Sequence, residues 1–135
     1  MSEKSNKALI DRYSHVSMVE RNLGALDQFF PGEFIDHTMP DGKSNPDMIR
    51  HSLQQYFEAF PDFSAVVEDT VAENDLVVTR LKLSGTHEGS FYGAPGTGKK
   101  FTVGAMQVYR VANDKIVERW FWVDAMGMRQ QLGLQ

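Results

Sequence analysis

Apolar and polar residues alternate along two segments near the end of the chain, residues 101–112 and 115–124. Alternation in runs rich in β-branched and aromatic residues predicts two strands, and Asn113-Asp114 between them predicts a hairpin turn. If those two residues are the whole turn, four cross-strand pairs follow. They are Ala112 with Lys115, Gln107 with Trp120, Ala105 with Trp122, and Val103 with Asp124.

Side chains alternate across a strand, so the second strand presents two faces. One face carries Ile116, Glu118, Trp120, Trp122 and Asp124, and the other carries Val117, Arg119, Phe121 and Val123. Together with Gln107 and Tyr109, the tryptophan face has the mixture of aromatic and few polar groups that lines small-molecule pockets. The other face also needs cover. Twofold pairing of sheets would supply it, so we expect a homodimer or higher homo-oligomer.

The rest of the chain predicts three helices and three further strands. The helices are one capped by Ser5 and running to about Leu23, a short one over Ala25–Phe30, and one starting at Asn45-Pro46 and ending before Pro61. The strands are Glu33–His37, Phe63–Glu73 and Leu76–Thr86, with a loop over 39–45 and a turn at Asn74-Asp75. The C-terminal tail is expected to dock through Met128, Leu132 and Leu134.

This order predicts one α+β domain over residues 1–135, with helices gathered on one face of a curved, mainly antiparallel sheet. Composition is that of a globular protein, with 41% hydrophobic and 24% charged residues. The net charge of −4 without a basic stripe argues against nucleic acid. No apolar run is long enough to span a membrane, and the polar start predicts a cytoplasmic protein.

Cysteine is absent, which excludes disulfides, thiolate zinc sites and cysteine nucleophiles. The four histidines show no metal-ligand spacing, so we expect no metal. Residues 93–100 match seven positions of a phosphate-binding P-loop, but the eighth is Lys100 rather than Ser or Thr. A P-loop must also open a helix, whereas residues 101–109 predict a strand. A glycine-rich turn between strands is therefore the favoured interpretation.

Several phrases occur together and in order: Phe34-Ile-Asp-His37, Ala59-Phe-Pro-Asp-Phe63, Gly85-Thr-His-Glu-Gly-Ser-Phe91, Gly96-Thr-Gly98-Lys99, Lys115-Ile-Val-Glu-Arg-Trp120 and Gln131-Leu-Gly133. With them the chain resembles the SnoaL-like polyketide cyclases of the NTF2-like superfamily. The resemblance implies a cone-shaped α+β barrel around a deep apolar pocket. It also implies ring closure of a polyketide by intramolecular aldol condensation, without metal or cofactor.

The resemblance further implies an acid/base aspartate in the last strand, and Asp124 occupies that position. In the best-known members of the family a histidine in the preceding strand assists. That strand here contains Gln107 and Tyr109 and no histidine. One carboxylate can both take and return a proton if burial raises its pKa toward neutrality. Asp124 would be buried in this way if it lies among Trp120, Trp122 and Val103. The alternative is that Asp124 caps the following segment, Ala125–Gln131, by accepting backbone N–H bonds.

Other candidate site residues each have two interpretations. His37 could face inward and shuttle a proton, or bond a loop carbonyl; His87 more simply stabilises the turn beside Thr86. Arg80 lies mid-strand, so it is either solvated on an open face or buried against a carboxylate such as Glu118, and the buried role is favoured. In a pocket it could also hold an anionic group or an oxyanion of a substrate. His15 and His51 lie on predicted helices as surface or packing residues. Tyr13, Tyr56 and Phe60 could line the pocket or belong to the core.

The sequence thus predicts a cofactor-independent enzyme of cyclase or isomerase type, acting on a hydrophobic carbonyl-bearing small molecule. Asp124 would be its acid/base, with His37, Gln107 and Arg80 orienting or polarising the substrate. The alternative function is a non-catalytic small-molecule binding protein with the same pocket. A purely structural dimer module is a third possibility.

Overall fold

The computed structural model describes residues 2–134 as helices packed on one face of an open, curved sheet. This confirms the predicted α+β class. In chain order the structure contains α1 (Glu3–Ser14), a π-helical segment (His15–Val19), a 3₁₀ helix (Leu23–Gln28), β1 (Phe34–Asp36), β2 (Lys43–Ser44), α2 (Pro46–Ala59), β3 (Ser64–Glu73), β4 (Leu76–Thr86), β5 (Lys100–Ala112), β6 (Lys115–Val123) and α3 (Ala125–Leu132).

Helix α1 is capped by Ser2, not by Ser5. The Ser2 hydroxyl accepts a hydrogen bond from the Ser5 backbone N–H (3.0 Å), and the Ser5 hydroxyl accepts one from the Ser2 N–H (3.0 Å). This reciprocal capping box satisfies two of the free N–H groups that begin a helix. The start predicted from Ser5 was therefore wrong because Ser5 is the third residue of the first turn.

The regular part of the first helix also ends well before Leu23. The Ser17 hydroxyl donates to the Tyr13 carbonyl (2.7 Å), and the backbone widens to π-helical hydrogen bonding over His15–Val19. Side-chain bonds of this kind compete with the backbone ladder and bend helices. The second predicted helix is a 3₁₀ helix over Leu23–Gln28.

Helix α2 begins as the sequence predicts. The Asn45 side chain accepts a hydrogen bond from the Met48 N–H (3.0 Å), and Pro46 occupies the first helical position. Proline fits there because that N–H needs no partner within the helix. Ile49 and Leu53 point from this helix into the core.

The sheet has the order β2-β1-β6-β5-β4-β3. Strands β3 to β6 form the predicted antiparallel run, whereas β1 pairs in parallel with β6. This parallel pairing sets Asp36 beside Arg119. Strand β2 lies within the segment predicted to be a loop, where two residues pair with β1 at the sheet edge.

The final hairpin turns at Asn113-Asp114 as predicted, with both residues at positive φ (52° and 58°). A two-residue turn of this hand matches the twist of the strands. Ala112 accordingly pairs with Lys115. The predicted pairs farther along are wrong, because Val111 pairs with Ile116 but Arg110 pairs with Glu118. Val117 is therefore an extra residue, a β-bulge.

The bulge exchanges the two faces of β6 beyond Val117. Gln107 pairs with Phe121 rather than Trp120, and Ala105 pairs with Val123 rather than Trp122. A one-residue slip moves every later side chain to the opposite face. Arg119, Phe121 and Val123 therefore face the helices, and Glu118, Trp120 and Trp122 face outward.

The core lies between the helices and the inner sheet face. In one cluster, α1 and the 3₁₀ helix pack against one end of strands β4, β5 and β6, which carries Val77, Tyr109 and Ile116. A second cluster joins the end of α2 and the start of β5 to α3. The predicted docking of the tail is confirmed: Met128 and Leu132 are buried, and Leu134 packs against the same cluster. Helix α3 ends at Gly133, whose φ of 73° favours glycine.

Apolar side chains remain on the outer sheet face, where Met106 and Trp122 are neighbours across β5 and β6 and are 43% and 58% exposed. The prediction that Phe121 and Val123 form this face is wrong, because the bulge turns both inward. The expected self-association stays a prediction.

Deleting Val117 should destabilise the protein strongly. Removing the extra residue would point Arg119 and Phe121 outward and separate Arg119 from Asp36. Breaking a buried ion pair alone costs ~3–5 kcal/mol, so we expect the free energy of unfolding to fall by at least ~3 kcal/mol. Urea denaturation followed by circular dichroism measures the change.

The matched control is Val117→Ala, which keeps the bulge and should cost about 1 kcal/mol or less at this half-buried position. A deletion no more harmful than the alanine variant would show that the bulge does not set the register.

Candidate functional site

A cavity of about 230 Å³ lies between α1, α2 and the inner faces of β4 to β6. Its wall is mainly apolar, with side chains such as Leu53, Leu81 and Phe121. The polar side chains that line it are Tyr13, Thr38, Ser52, Tyr56, Tyr92, Gln107 and Arg119. Tyr92 is largely exposed, so it marks the mouth of the cavity.

An ion pair with Asp36 holds Arg119 in the wall of the cavity. Asp36 is fully buried, and its Oδ2 accepts a hydrogen bond from Arg119 Nη1 (2.8 Å). Its Oδ1 accepts bonds from the Thr38 N–H (2.9 Å) and hydroxyl (2.7 Å). Burial opposes ionisation of Asp36, but Arg119 and Thr38 outweigh it, and the pKa lies below its ordinary value. Asp36 is therefore ionised at neutral pH and engaged at both oxygens.

Arg119 remains a cation in this buried setting. Burial by itself lowers the pKa of Arg119, but the acidic groups of Tyr109, Asp36 and Tyr13 outweigh this effect and raise it. Within residues 2–134, Asp36 supplies the guanidinium with its single protein hydrogen bond, and the buried Nε is left without a partner. A guanidinium only donates hydrogen bonds, so the cavity contains an unused donor group.

Gln107 faces the same cavity from β5 and is bound by two buried hydroxyls. Its Oε1 accepts a short hydrogen bond from Tyr109 and a long one from Thr79 Oγ1 (3.5 Å). Tyr109 and Thr79 are both fully buried. Burial raises the pKa of the Tyr109 hydroxyl well above its ordinary value, so it stays protonated and donates.

Tyr13 and Tyr56 line the cavity from the helical side. Tyr13 is held by edge-to-face contacts with Phe29 and Phe30, at centroid distances of 5.5 and 5.3 Å. Burial raises the pKa of Tyr56 to about 12 and that of Tyr13 above its ordinary value. Both hydroxyls are therefore protonated at neutral pH and are hydrogen-bond donors rather than bases.

Asp124 and Trp122 lie outside this cavity. Asp124 is exposed, and its Oδ1 accepts a hydrogen bond from the Gly127 N–H (2.9 Å) at the start of α3. The prediction that Asp124 is buried among Trp120, Trp122 and Val103 is therefore wrong. The alternative, a cap for the following segment, is confirmed. The physical reason is the bulge at Val117, which exchanges the two faces of β6 along the part of the strand that leads to Asp124.

His37 and Trp120 form a second group on the outer face. Their rings stack at 4.6 Å with a 7° angle between planes, and His37 Nε2 lies 2.7 Å from Glu118 Oε2. Hydrogen bonds from His37 and Arg110 lower the pKa of Glu118. The inward orientation of His37 considered from sequence is thus not found, because its neighbour Asp36 takes the inner position on β1.

Arg80 is exposed rather than buried. It bonds Asp69 through Nε (2.7 Å) and Glu68 through Nη1 (2.9 Å). The expected pairing with Glu118 is wrong, since Glu118 accepts from Arg110 Nε (2.8 Å) on the next strand. Arg80 therefore faces away from the cavity.

His87 and Phe60 are buried beneath the glycine-rich loop. His87 Nδ1 lies 3.1 Å from the Thr97 hydroxyl, and its backbone bonds Lys99 and Gly98 across the base of the loop. The favoured interpretation of His87, turn stabilisation, agrees with this geometry. The loop leads into β5 at Lys100 and not into a helix, which agrees with the rejection of a P-loop.

Of the predicted site residues, the structure brings Tyr13, Tyr56 and Gln107 together at the cavity, with Tyr109 directly behind Gln107. Their binding roles stay predictions. The Asp36–Arg119 pair was missed. Asp36 could have been found, since alternation places it on the same face of β1 as the buried Phe34. Arg119 could not, because a bulge has no clear signal in this sequence.

Among residues 2–134 there is no group of three or more histidine and acidic side chains placed to hold a metal ion. None of the helices in that range is long and apolar enough to cross a membrane.

Comparison with known proteins gives one consistent result. Two curated relatives are aklanonic acid methyl ester cyclases. One, DnrD of Streptomyces peucetius, is 33% identical over 76 residues, which is 56% of this chain and 52% of that protein. The other, DauD of Streptomyces sp. strain C5, is 35% identical over 57 residues, covering 42% and 35% of the two chains. The matched segments thus span about half or less of these relatives.

Solved structures share the fold over the whole chain. TsrD from Streptomyces laurentii superposes with a TM-score of 0.88 at 23% identity, covering 100% of this chain and 99% of that one. IdmH from Streptomyces antibioticus, a candidate polyketide cyclase, superposes with a TM-score of 0.79 at 27% identity, covering 99% and 100%.

The family profile described as SnoaL-like polyketide cyclase matches residues 7–132, which is nearly the full length of the chain. Together with the helices packed on an open sheet and the cavity between them, this match establishes the family. The chain belongs to the SnoaL-like polyketide cyclases.

Proposed function

We propose that the protein is a cofactor-independent cyclase that closes a ring in a hydrophobic, carbonyl-bearing, polyketide-like molecule bound in the interior cavity. The observation that carries the proposal is the Arg119 cation in the wall of a mainly apolar cavity. Family membership and the names of the two curated relatives support a cyclase, the family name points to a polyketide, and the relatives' names point to the methyl ester of a carboxylic acid.

The reaction is an intramolecular aldol condensation. A carbon beside a carbonyl loses a proton and becomes an enolate, the enolate carbon bonds to a second carbonyl carbon, and the resulting alkoxide takes up a proton. Negative charge develops on oxygen in both steps. Donors held in place before the reaction stabilise such charge most effectively in a site that excludes water. Arg119, held by Asp36, and Gln107, held by Tyr109, are donors of this kind.

In this proposal the carbon proton passes to solvent water at the mouth of the cavity, beside Tyr92, and the alkoxide takes its proton from the same solvent. Asp36 is not the base, because it does not line the cavity and because Arg119 and Thr38 bond both of its oxygens. Tyr13 and Tyr56 are protonated. A methylene between two carbonyls is acidic, so the main demand on the enzyme is to stabilise the enolate. Acid/base chemistry by Asp124 is not part of the proposal, since Asp124 caps α3 on the surface.

Turnover should depend on Arg119 and not on Asp124. Loss of one such donor typically lowers kcat by 10²–10³-fold, so we expect Arg119→Met to lose about 100-fold. Asp124→Asn keeps a good helix cap and should stay within about threefold of wild type. Product formation from synthetic aromatic β-keto esters, measured by liquid chromatography and mass spectrometry, tests both variants.

Arg119→Met leaves Asp36 buried without its partner, so the double variant Asp36→Asn/Arg119→Met is the control for folding. It should fold, because removing both charges leaves neither unpaired, and it should remain as inactive as the single variant. Loss of turnover in Asp124→Asn with retention in the double variant would contradict the proposal. So would a wild-type protein that only retains an unchanged ligand.

The ion pair also predicts how stability depends on pH. The pKa of Asp36 is lower in the folded protein than in the unfolded chain, where it is about 3.9. The stabilisation is therefore complete above about pH 5, and it is lost as the pH falls below 3.9 through the folded pKa. Asp36→Asn should be less stable than wild type at pH 7 by about 3 kcal/mol or more.

Urea denaturation of both proteins at intervals from pH 7 to pH 2 measures this difference. Other carboxylates titrate in both proteins, so their effects cancel in the comparison. The difference in the free energy of unfolding between wild type and Asp36→Asn should become smaller only below about pH 4. A gap that stays constant down to pH 2 would show that Asp36 does not gain stability from ionisation.

A further inference from the structure

We propose that Gln107 and Arg119 form a paired donor site for an enolate or phenolate oxygen of the ligand, and that Tyr109 is the positioning residue that turns the Gln107 amide toward that oxygen. This names the substrate class of the cavity and rests on the function proposed above. It concerns compounds with an ionisable enol or phenol beside a carbonyl, rather than simple ketones, alcohols or amines.

The orientation of the Gln107 amide follows from its two neighbours. Tyr109 and Thr79 are fully buried hydroxyls, and Gln107 Oε1 lies in reach of both. A buried hydroxyl proton needs an acceptor, and the oxygen is the acceptor of an amide side chain. If the amide were reversed, both hydroxyl protons would lose this partner. The oxygen is therefore fixed toward Tyr109, and the NH₂ group is left to the cavity.

Tyr109 contributes more to this orientation than Thr79 does. Its hydroxyl donates a hydrogen bond to Gln107 Oε1, whereas the Thr79 contact is 3.5 Å long, at the limit of a hydrogen bond. Tyr109 does not line the cavity, so it acts on a ligand through its neighbours, and its side-chain hydrogen bond goes to Gln107. Its ring is fixed from the other side by Tyr13, at a centroid distance of 6.0 Å.

Arg119 supplies the second donor. Its Nη1 is occupied by Asp36, and its other nitrogens have no protein partner among residues 2–134. Asp36 is itself bonded by Thr38 and does not line the cavity, so its charge is not presented to a ligand. Gln107 pairs across the strands with Phe121, and Arg119 pairs with Tyr109, so Gln107 and Arg119 are diagonal neighbours on the inner face.

Two donors that lie together, one of them a cation, select the charge state of the ligand. Hydrogen bonds to an ionised oxygen are roughly twice as strong as those between neutral groups. The cavity should therefore bind the ionised form of an acidic enol or phenol more tightly than its neutral form. A bound ligand of this class would ionise at a lower pH than the free ligand.

The probe for the test is 2-acetyl-1-naphthol, whose neutral and ionised forms differ in absorbance. The pH titration of its absorbance, with and without saturating protein, gives the ratio of the two affinities. We expect wild type to bind the ionised form about tenfold or more tightly. Gln107→Glu keeps an acceptor for Tyr109 and Thr79 but replaces the NH₂ group by a carboxylate oxygen. It should abolish or reverse this preference.

Tyr109→Phe keeps the ring but frees the amide, and it should reduce the preference for the ionised probe several-fold while probe binding persists. Thr79→Val should have a smaller effect. Met106→Gln is the matched control, because Met106 lies on β5 next to Gln107 but faces outward; it should behave as wild type. If Gln107→Glu fails to fold, Gln107→Leu replaces it and should also lose the preference.

Preference for the neutral probe in wild type, or failure of the probe to bind at millimolar concentration, would overturn the donor site. Unchanged preference in Tyr109→Phe would overturn the positioning role. These titrations measure binding of the probe and need no turnover, so their outcome is separate from that of the test of the proposed function. A protein that selects the ionised probe but turns over no substrate would contradict the cyclase and support the donor site.

Discussion

One extra residue in β6, the bulge at Val117, decides which side chains this protein turns toward its interior. Before it, the hairpin follows the simple alternation that its two-residue turn imposes. After it, every side chain of β6 changes face. Phe121 and Arg119 enter the cavity as a result, while Trp120 and Trp122 move to the surface. Arg119 reaches the cavity only because this strand slips by one position.

The Asp36–Arg119 pair is the second constraint, and it depends on the first. Burying two charges is costly unless each is paired and hydrogen-bonded. Here β1 runs parallel to β6, so the two residues are direct neighbours, and Thr38 completes the partners of Asp36. The pair joins the short edge strand to the centre of the sheet. It also keeps a cation beside an apolar cavity, where the field of that cation is weakly screened.

The cavity consequently offers hydrogen-bond donors to the oxygen atoms of a ligand. Gln107, Arg119 and the protonated tyrosines can stabilise negative charge on oxygen, and the nearest carboxylate is already engaged. This favours a reaction in which stabilisation of an enolate is the main requirement. The outer face shows the opposite arrangement, in which charged groups such as Arg80 and Glu118 are fully paired by neighbouring strands.

Local patterns in the sequence determined most of the secondary structure. Asn45-Pro46 starts α2, Asn113-Asp114 turns the hairpin, and alternation marks the long strands, because each of these signals acts through a few neighbouring residues. The short sequence segments that resemble the family also pointed to the fold, and each of them consists of a few neighbouring residues. The sequence alone did not place Asp36 beside Arg119 or Asp124 on the surface. Those positions depend on pairing between strands about 80 residues apart in sequence and on a bulge whose energy is decided by packing, so only the tertiary structure determines them.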